Sequence, residues 1–265
     1  MPIKKDGTGK RWVELDLLVH GTPEQVWQAM ATGAGYTAWF TRTTIEERVG
    51  GKLVFDFGGG ATSSGEVLAW QPPFHFGYVE REWSEGAPPV ATEVTITARS
   101  GDTCVVRMVH SLFASSDDWD DQMEGFENGW PGFFDVLRVY LRHFIGQRAA
   151  STSVMASTEG DVPAAWKRAT TRLALAGTDV GDRRSTPDTP QRLSGVVEAV
   201  HQSAAHRYVV LRLDAPAPGI AVVGAYDHGG TATIGLSLYY YGEGADAAAA
   251  TSESCWRETL AGLVT

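Results

Sequence analysis

The sequence predicts an α+β protein made in two parts: an antiparallel run of strands closed by a long helix, then a shorter, degenerate version of the same order. Three observations predict it. Apolar residues alternate with a period of two over most of the stretch 12–113, the period becomes helical from Trp130, and the same succession of signals restarts after about residue 150. A chain of 265 residues accommodates two domains, which we place at 1–148 and 149–265.

Trp12 to Val19 alternates as a strand, and Thr22-Pro23 then offers an N-cap and a first helical residue for a short helix, Glu24 to Met30. Gly33 to Gly35 stops that helix before a second helical piece around Tyr36 to Phe40. Strands follow at Lys52 to Phe57, Gly65 to Trp70, Phe74 to Trp83, Thr92 to Arg99 and Thr103 to Phe113, separated by turns at Gly50-Gly51, Gly58 to Gly60, Pro72-Pro73, Glu85 to Pro89 and Ser100 to Asp102. Phe133, Phe134, Leu137, Leu141 and Phe144 then mark a long amphipathic helix that starts near Asp117 and kinks or restarts at Pro131. Arg148 to Ser153 reads as a linker. Beyond it, Val154 to Ser157 precedes Pro163-Ala164-Ala165-Trp166 as Val13 to Val19 precedes Pro23-Glu24-Gln25-Val26-Trp27, and Ser194-Gly195-Val196-Val197 echoes Ser64-Gly65-Glu66-Val67. Strands at Arg207 to Leu213, Ile220 to Asp227 and Thr231 to Tyr241 lead to a last helix, Ala247 to Leu263. The polar stretch Gly177 to Gln191 replaces several early strands, so any cavity of the second part is reduced or absent.

Hydrophobic residues make up 43% of the chain and charged residues 20%, as in a folded globular protein. With 22 Lys+Arg against 32 Asp+Glu the net charge is −10, which argues against nucleic acid and anionic membranes as partners. No apolar run reaches the length of a membrane span, and no apolar stretch of signal-peptide length follows the basic residues up to Arg11, so a cytoplasmic protein is expected. Cys104 and Cys255 are far apart and without partners of zinc-ligand spacing, so neither a disulfide, a metal nor another cofactor is expected.

Pro23-Glu24-Gln25-Val26-Trp27, Trp39-Phe40, Val49-Gly50-Gly51-Lys52-Leu53, Gly65-Glu66-Val67-Leu68, Pro72-Pro73, Val109-His110-Ser111 and Gly129-Trp130-Pro131-Gly132-Phe133 form an ordered motif set. Over about residues 10–147 this set resembles the bacterial branch of the activator of heat-shock-protein ATPase homologue family, within the START-like (SRPBCC) superfamily. The resemblance implies a helix-grip fold, an antiparallel sheet curled around a long C-terminal helix. It further implies, across the superfamily, roles as varied as lipid carriage, polyketide cyclisation and chaperone stimulation. Where relatives often carry a tryptophan late in the strand after Pro-Pro, this chain has Glu80-Arg81, which makes that part of the interior more polar.

Candidate site residues come from strand and helix faces that should converge: Trp39, Phe40, Phe55, Phe57, Trp70, Tyr78, Glu80, Met108, His110, Trp130, Phe133 and Leu137. Such a set is equally the material of an ordinary core. His110 shares a face with Val106 and Met108, which suits either a structural histidine or a ligand contact. Glu80 and Glu82 fall on one face of a strand and could act as paired carboxylates or simply meet solvent. Asp117-Asp118-Trp119-Asp120-Asp121 with Glu124 lacks the spaced ligands and glycine of a calcium loop and suits a helix start. Gly58-Gly59-Gly60 is a hairpin tip rather than a phosphate loop, and no nucleophile motif is present. Tyr239 and Tyr241 are the analogous candidates in the second part. The reading favoured is a binding protein, not an enzyme, that takes a hydrophobic small molecule between sheet and long helix. The alternatives are a polyketide cyclase or aromatase using His110 with Glu80 or Glu82, and a cofactor that stimulates a heat-shock chaperone ATPase.

Overall fold

The chain divides into two units, Met1–Gly146 and Gln147–Thr265. The computed structural model describes residues 3–7, 9–58, 60–81, 83, 86–113, 120–203, 206–228 and 230–264. Residues 117–119 of the acidic run, the side chains of Asp120, Asp121 and Glu124, and residues Glu82 and Gly59 lie outside what is described.

The first unit runs β1 (Lys4–Lys5), β2 (Lys10–His20), α1 (Pro23–Ala31), α2 (Gly33–Thr37), β3 (Arg42–Ile45), β4 (Lys52–Gly58), β5 (Ala61–Gln71), β6 (His75–Glu80), β7 (Val90–Arg99), β8 (Thr103–Phe113) and α3 (Asp120–His143). Its strands form one antiparallel sheet in the order β1-β2-β8-β7-β6-β5-β4-β3. Strands β3 to β8 are a meander of neighbours, and β2 pairs with β8 from Lys10 opposite Phe113 to His20 opposite Thr103.

Helix α1 begins where its sequence predicts. Thr22 and Gln25 form a reciprocal capping box, the Gln25 N–H donating to Thr22 Oγ1 and the Thr22 N–H to Gln25 Oε1, with Pro23 in the first turn. The second helix starts at Gly33 rather than Tyr36, because Thr32 caps it by accepting from the Gly35 N–H at 3.0 Å. A Cβ at Gly35 would lie 1.9 Å from the Gln28 carbonyl oxygen, so the close approach of α2 to α1 requires glycine. Of the two expectations at Pro131, a kink or a restart, the restart does not occur, because α3 runs through the proline; Trp130, Phe134, Leu137 and Leu141 are all buried on its inner side and offset the lost backbone bond.

The second unit runs β9 (Ala149–Thr158), α4 (Val162–Arg172), β10 (Arg183–Ser185), β11 (Ser194–Gln202), β12 (His206–Ala215), β13 (Gly219–His228), β14 (Thr231–Tyr241) and α5 (Ala245–Val264). Its sheet has the order β10-β11-β12-β13-β14-β9. The stretch Arg148 to Ser153, expected as a linker, is in fact mostly strand: Ala149 to Ser153 pair with Tyr241 to Ser237 of β14, small residues lying opposite the tyrosines. Gly177 to Gln191 holds the short β10, and Gln191 Oε1 accepts hydrogen bonds from Ser252 Oγ at 2.8 Å and Trp256 Nε1 at 3.1 Å. Tyr240, rather than the expected pair Tyr239 and Tyr241, belongs to the core of this unit, its hydroxyl 2.8 Å from Ser252 Oγ; alternation along β14 allows only one of the two sets to face that core.

The two sheets share their connectivity and some unusual details. In each, the strand before the first helix, β2 or β9, pairs with the last strand, β8 or β14, and that helix is capped by Thr22 in α1 and by Asp161 in α4. In the first, the Gly50 N–H bonds Val67 O and the Val67 N–H bonds Gly51 O; in the second, the Gly181 N–H bonds Val197 O and the Val197 N–H bonds Asp182 O. A β-bulge follows each valine, between Val67 and Ala69 and between Val197 and Ala199. Among the described residues no helix is long and apolar enough to cross a membrane.

The glycine two residues before each bulge is sterically required. A Cβ at Gly65 would sit 2.8 Å from Val79 O, and one at Gly195 would sit 2.1 Å from Arg212 O. Both contacts are with backbone, which cannot swing away, so Gly65→Ala and Gly195→Ala are each expected to cost on the order of 1–3 kcal/mol in urea unfolding, Gly195→Ala the more. An unchanged midpoint in either variant would refute the steric account.

Candidate functional site

Alternation along β8 turns Val106, Met108 and His110 to one buried face. Antiparallel register extends His110 into a row that crosses the sheet, since it lies opposite Thr92 of β7 and Thr92 lies opposite Tyr78 of β6. Thr92 Oγ1 and His110 Nδ1 share a hydrogen bond of 2.8 Å, and the Tyr78 hydroxyl engages the Thr92 hydroxyl. Two residues along β6, Glu80 turns to the same face and accepts a hydrogen bond from Ser63 Oγ of β5, which settles the direction that alternation alone left open. From α2, the Tyr36 hydroxyl approaches that of Tyr78 and extends the row. Ser63, Glu80, Tyr36, Tyr78, Thr92 and His110 thus form a buried polar row inside an apolar unit.

Burial governs its electrostatics. Loss of solvent holds the His110 imidazole down at about 3, so the ring is neutral. Burial raises the Glu80 carboxyl above its usual value, with the Ser63 hydrogen bond opposing the shift. It also raises the Tyr36 and Tyr78 hydroxyls, which stay protonated and able to donate.

An aromatic cluster covers one end of the row. The Trp130 ring of α3 stacks on His110 with centroids 5.2 Å apart and planes 14° apart, and it meets Phe40 at 5.0 Å and Phe134 at 5.5 Å. Phe133 meets Phe40 edge-on at 4.7 Å, and Phe55 meets Tyr36, Phe40 and Tyr78. Trp39 is anchored by its Nε1 donating to Ala29 O at 2.9 Å. Met108 and Leu137 are fully buried. Two expected members stand apart: Trp70 packs on Trp27 and Phe76, and Phe57, 49% exposed, reaches only the rim at Phe40 and Phe55. The bulge between Val67 and Ala69 and the irregular pairing after Asp56 break the alternation that would have aligned them.

Tyr36, Ser63 and Thr92 are the members that sequence reasoning missed. Thr92 could have been found by laying the predicted strands in register, because it is the residue between Tyr78 and His110. No group of three or more His, Cys, Asp or Glu side chains fit to hold a metal occurs among the described residues.

An antiparallel sheet with a long helix whose Trp130 stacks on His110 of the sheet defines an α+β domain. Residues 20–142 match the family described as Activator of Hsp90 ATPase homolog 1-like protein. Among solved structures, the chain resembles protein MLL2253 from Mesorhizobium loti, at 23% identity over 51% of this chain and 98% of that one, with a TM-score of 0.47. It also resembles the Aha1 dimer from Colwellia psychrerythraea, at 19% over 50% and 96% with a TM-score of 0.42. The di-domain ARO/CYC BexL from the BE-7585A biosynthetic pathway is similar over 96% of this chain and 95% of that one, at 13% identity and a TM-score of 0.45. No curated protein matches the sequence.

The row gives opposite pH dependences. An unfolded histidine takes up its proton near 6.5 and the folded His110 only at about 3, so the unfolded chain binds more protons between these values and stability falls as pH drops through that window. Glu80 titrates above 4.5 in the folded chain, so its contribution is complete below 4.5 and is lost as pH rises through the raised value. Calorimetric melting between pH 4 and 7 should show a shallower acid-side fall for His110→Leu and a smaller loss on raising the pH for Glu80→Gln. Each site alters the slope by at most about 1.4 kcal/mol per pH unit. An acid-side slope unchanged by His110→Leu would mean that the imidazole is not held neutral.

Proposed function

We propose that the first unit is a helix-grip domain whose sheet curls around α3, and that it binds an apolar, ring-bearing small molecule between the two. The residues assigned to contact it are Trp39, Phe40, Phe55, Tyr78, Glu80, Met108, His110, Trp130, Phe133 and Leu137. The observation that carries this reading is the stack of Trp130 on His110: a flat apolar ring already rests on a buried imidazole, and a planar ligand could enter between them and stack on Trp130. The second unit is proposed as a degenerate copy with a structural role, supported by the matching cap positions, bulges and paired Val67 and Val197 hydrogen bonds.

The cyclase-type reading is favoured by Glu80, whose half-buried carboxyl lies on the same face as His110. A histidine held at about 3 is a poor base at neutral pH, so in that reading Glu80 takes the proton from a poly-carbonyl substrate and His110 only orients it. Glu80→Gln would then abolish turnover of such a substrate while leaving its binding intact.

The binding reading predicts that native mass spectrometry of the purified chain, mixed with a lipid and metabolite extract of the source cells, shows an adduct displaced by Trp130→Ala. A clean ligand-free mass throughout would overturn it.

A further inference from the structure

The registers of the two sheets allow the polar row to be compared position by position. Val67 and Val197 are equivalent by their paired backbone bonds and the bulges that follow them. From Val67 the first sheet reads Tyr78, Thr92, His110 across β6, β7 and β8. From Val197 the second reads Leu211, Ala221, Leu238 across β12, β13 and β14. Opposite the required glycines, Gly65 faces Glu80 and Gly195 faces Leu213. Ser63 and Leu193 each lie two residues before those glycines. Every polar member on the sheet of the first unit therefore has an aliphatic counterpart, and Leu193, Leu211, Leu213, Ala221 and Leu238 are all at most 3% exposed.

The same sheet connectivity thus folds in one chain with and without the row. Burying hydroxyls, an imidazole and a carboxyl costs desolvation that aliphatic side chains avoid, and a scaffold that has dispensed with them shows the fold does not need them. The Tyr36 hydroxyl belongs to the row as well. It is fully buried beside the Tyr78 hydroxyl, so the row continues from the sheet to α2 through a further hydroxyl able to donate. The row contains no lysine or arginine to neutralise an anion, while its rings at Trp130, Phe40 and Phe133 suit a flat apolar body.

We propose that the chain holds one ligand site, in the first unit, whose polar row reads a hydroxyl or carbonyl oxygen on a neutral planar aromatic compound, and that the second unit is the same scaffold with that site erased. This rests on the binding reading above and adds to it the ligand's chemical class and the stoichiometry.

The test uses the full chain, with 2-naphthol and naphthalene as probes, tryptophan emission to follow binding and native mass spectrometry to count it. The proposal expects one 2-naphthol per chain, bound about tenfold or more tighter than naphthalene. It expects Tyr78→Leu, Thr92→Ala and His110→Leu combined, the residues of the second unit, to unfold cooperatively and to bind both probes equally. Equal binding of the two probes by the unsubstituted chain would overturn this inference and leave the wider binding reading standing, whereas binding of neither would remove both. Two equivalents per chain, or a preference that survives the triple substitution, would also overturn it. A triple variant that does not fold would show the row to be structural and overturn the erasure. In that event Tyr78→Phe and Thr92→Val, which keep shape and lose hydroxyls, still decide the recognition: an undiminished preference in both would overturn it.

Discussion

The first unit depends on one long-range pairing, that of β2 with β8. It joins the beginning of the domain to its end across residues Lys10–His20 and Thr103–Phe113, while the strands from β3 to β8 are joined to their sequence neighbours. Closing this contact carries the loop entropy of nearly the whole unit. It makes β8 an interior strand, paired on both sides, and so turns His110 from an edge residue into a buried one.

A buried His110 then needs an environment, and the row supplies it. Thr92 meets its Nδ1, Tyr78 meets Thr92, and Glu80 is met by Ser63. A network of this kind contributes only when its members are satisfied together, since each lone hydroxyl or carboxyl left in an apolar interior costs more than the bond it replaces. Trp130 completes the enclosure by laying its ring over the imidazole, which ties the interior of the sheet to helix α3. The second unit solves the same packing problem with leucine and alanine and pins its long loop instead, through Gln191, to Ser252 and Trp256.

Much of the architecture is legible in the sequence because it is local. Thr22, Pro23 and Gln25 announce a helix start through contacts within one turn, and the alternation of Val106, Met108 and His110 announces a strand face. What was not legible depends on partners far along the chain. Ala149 to Ser153 have no strand-like composition and become strand only against β14. Lys4–Lys5 and Arg42–Ile45 are short, polar edge strands recruited by their neighbours. Glu80, Glu82 and Tyr78 could be named as candidates, but Thr92 and Tyr36 gain significance only from registers and helix packing that no periodicity encodes. Bulges explain the opposite error, since alternation counted across Val67 to Ala69 overstates how far Trp70 shares the face of its neighbours.

The equivalence of the two sheets also bears on assembly. Two scaffolds of like strand order in one polypeptide invite the wrong strand to enter the wrong sheet, a familiar failure of tandem domains. Here the unlike rows act against it. A β14 taken up in place of β8 would set Leu238 beside Thr92 and strip the threonine hydroxyl of its imidazole partner, while β8 placed in the second sheet would bury His110 among aliphatic side chains. The contrast between a polar row and an aliphatic one thereby labels each strand for its own domain and protects the fidelity of folding.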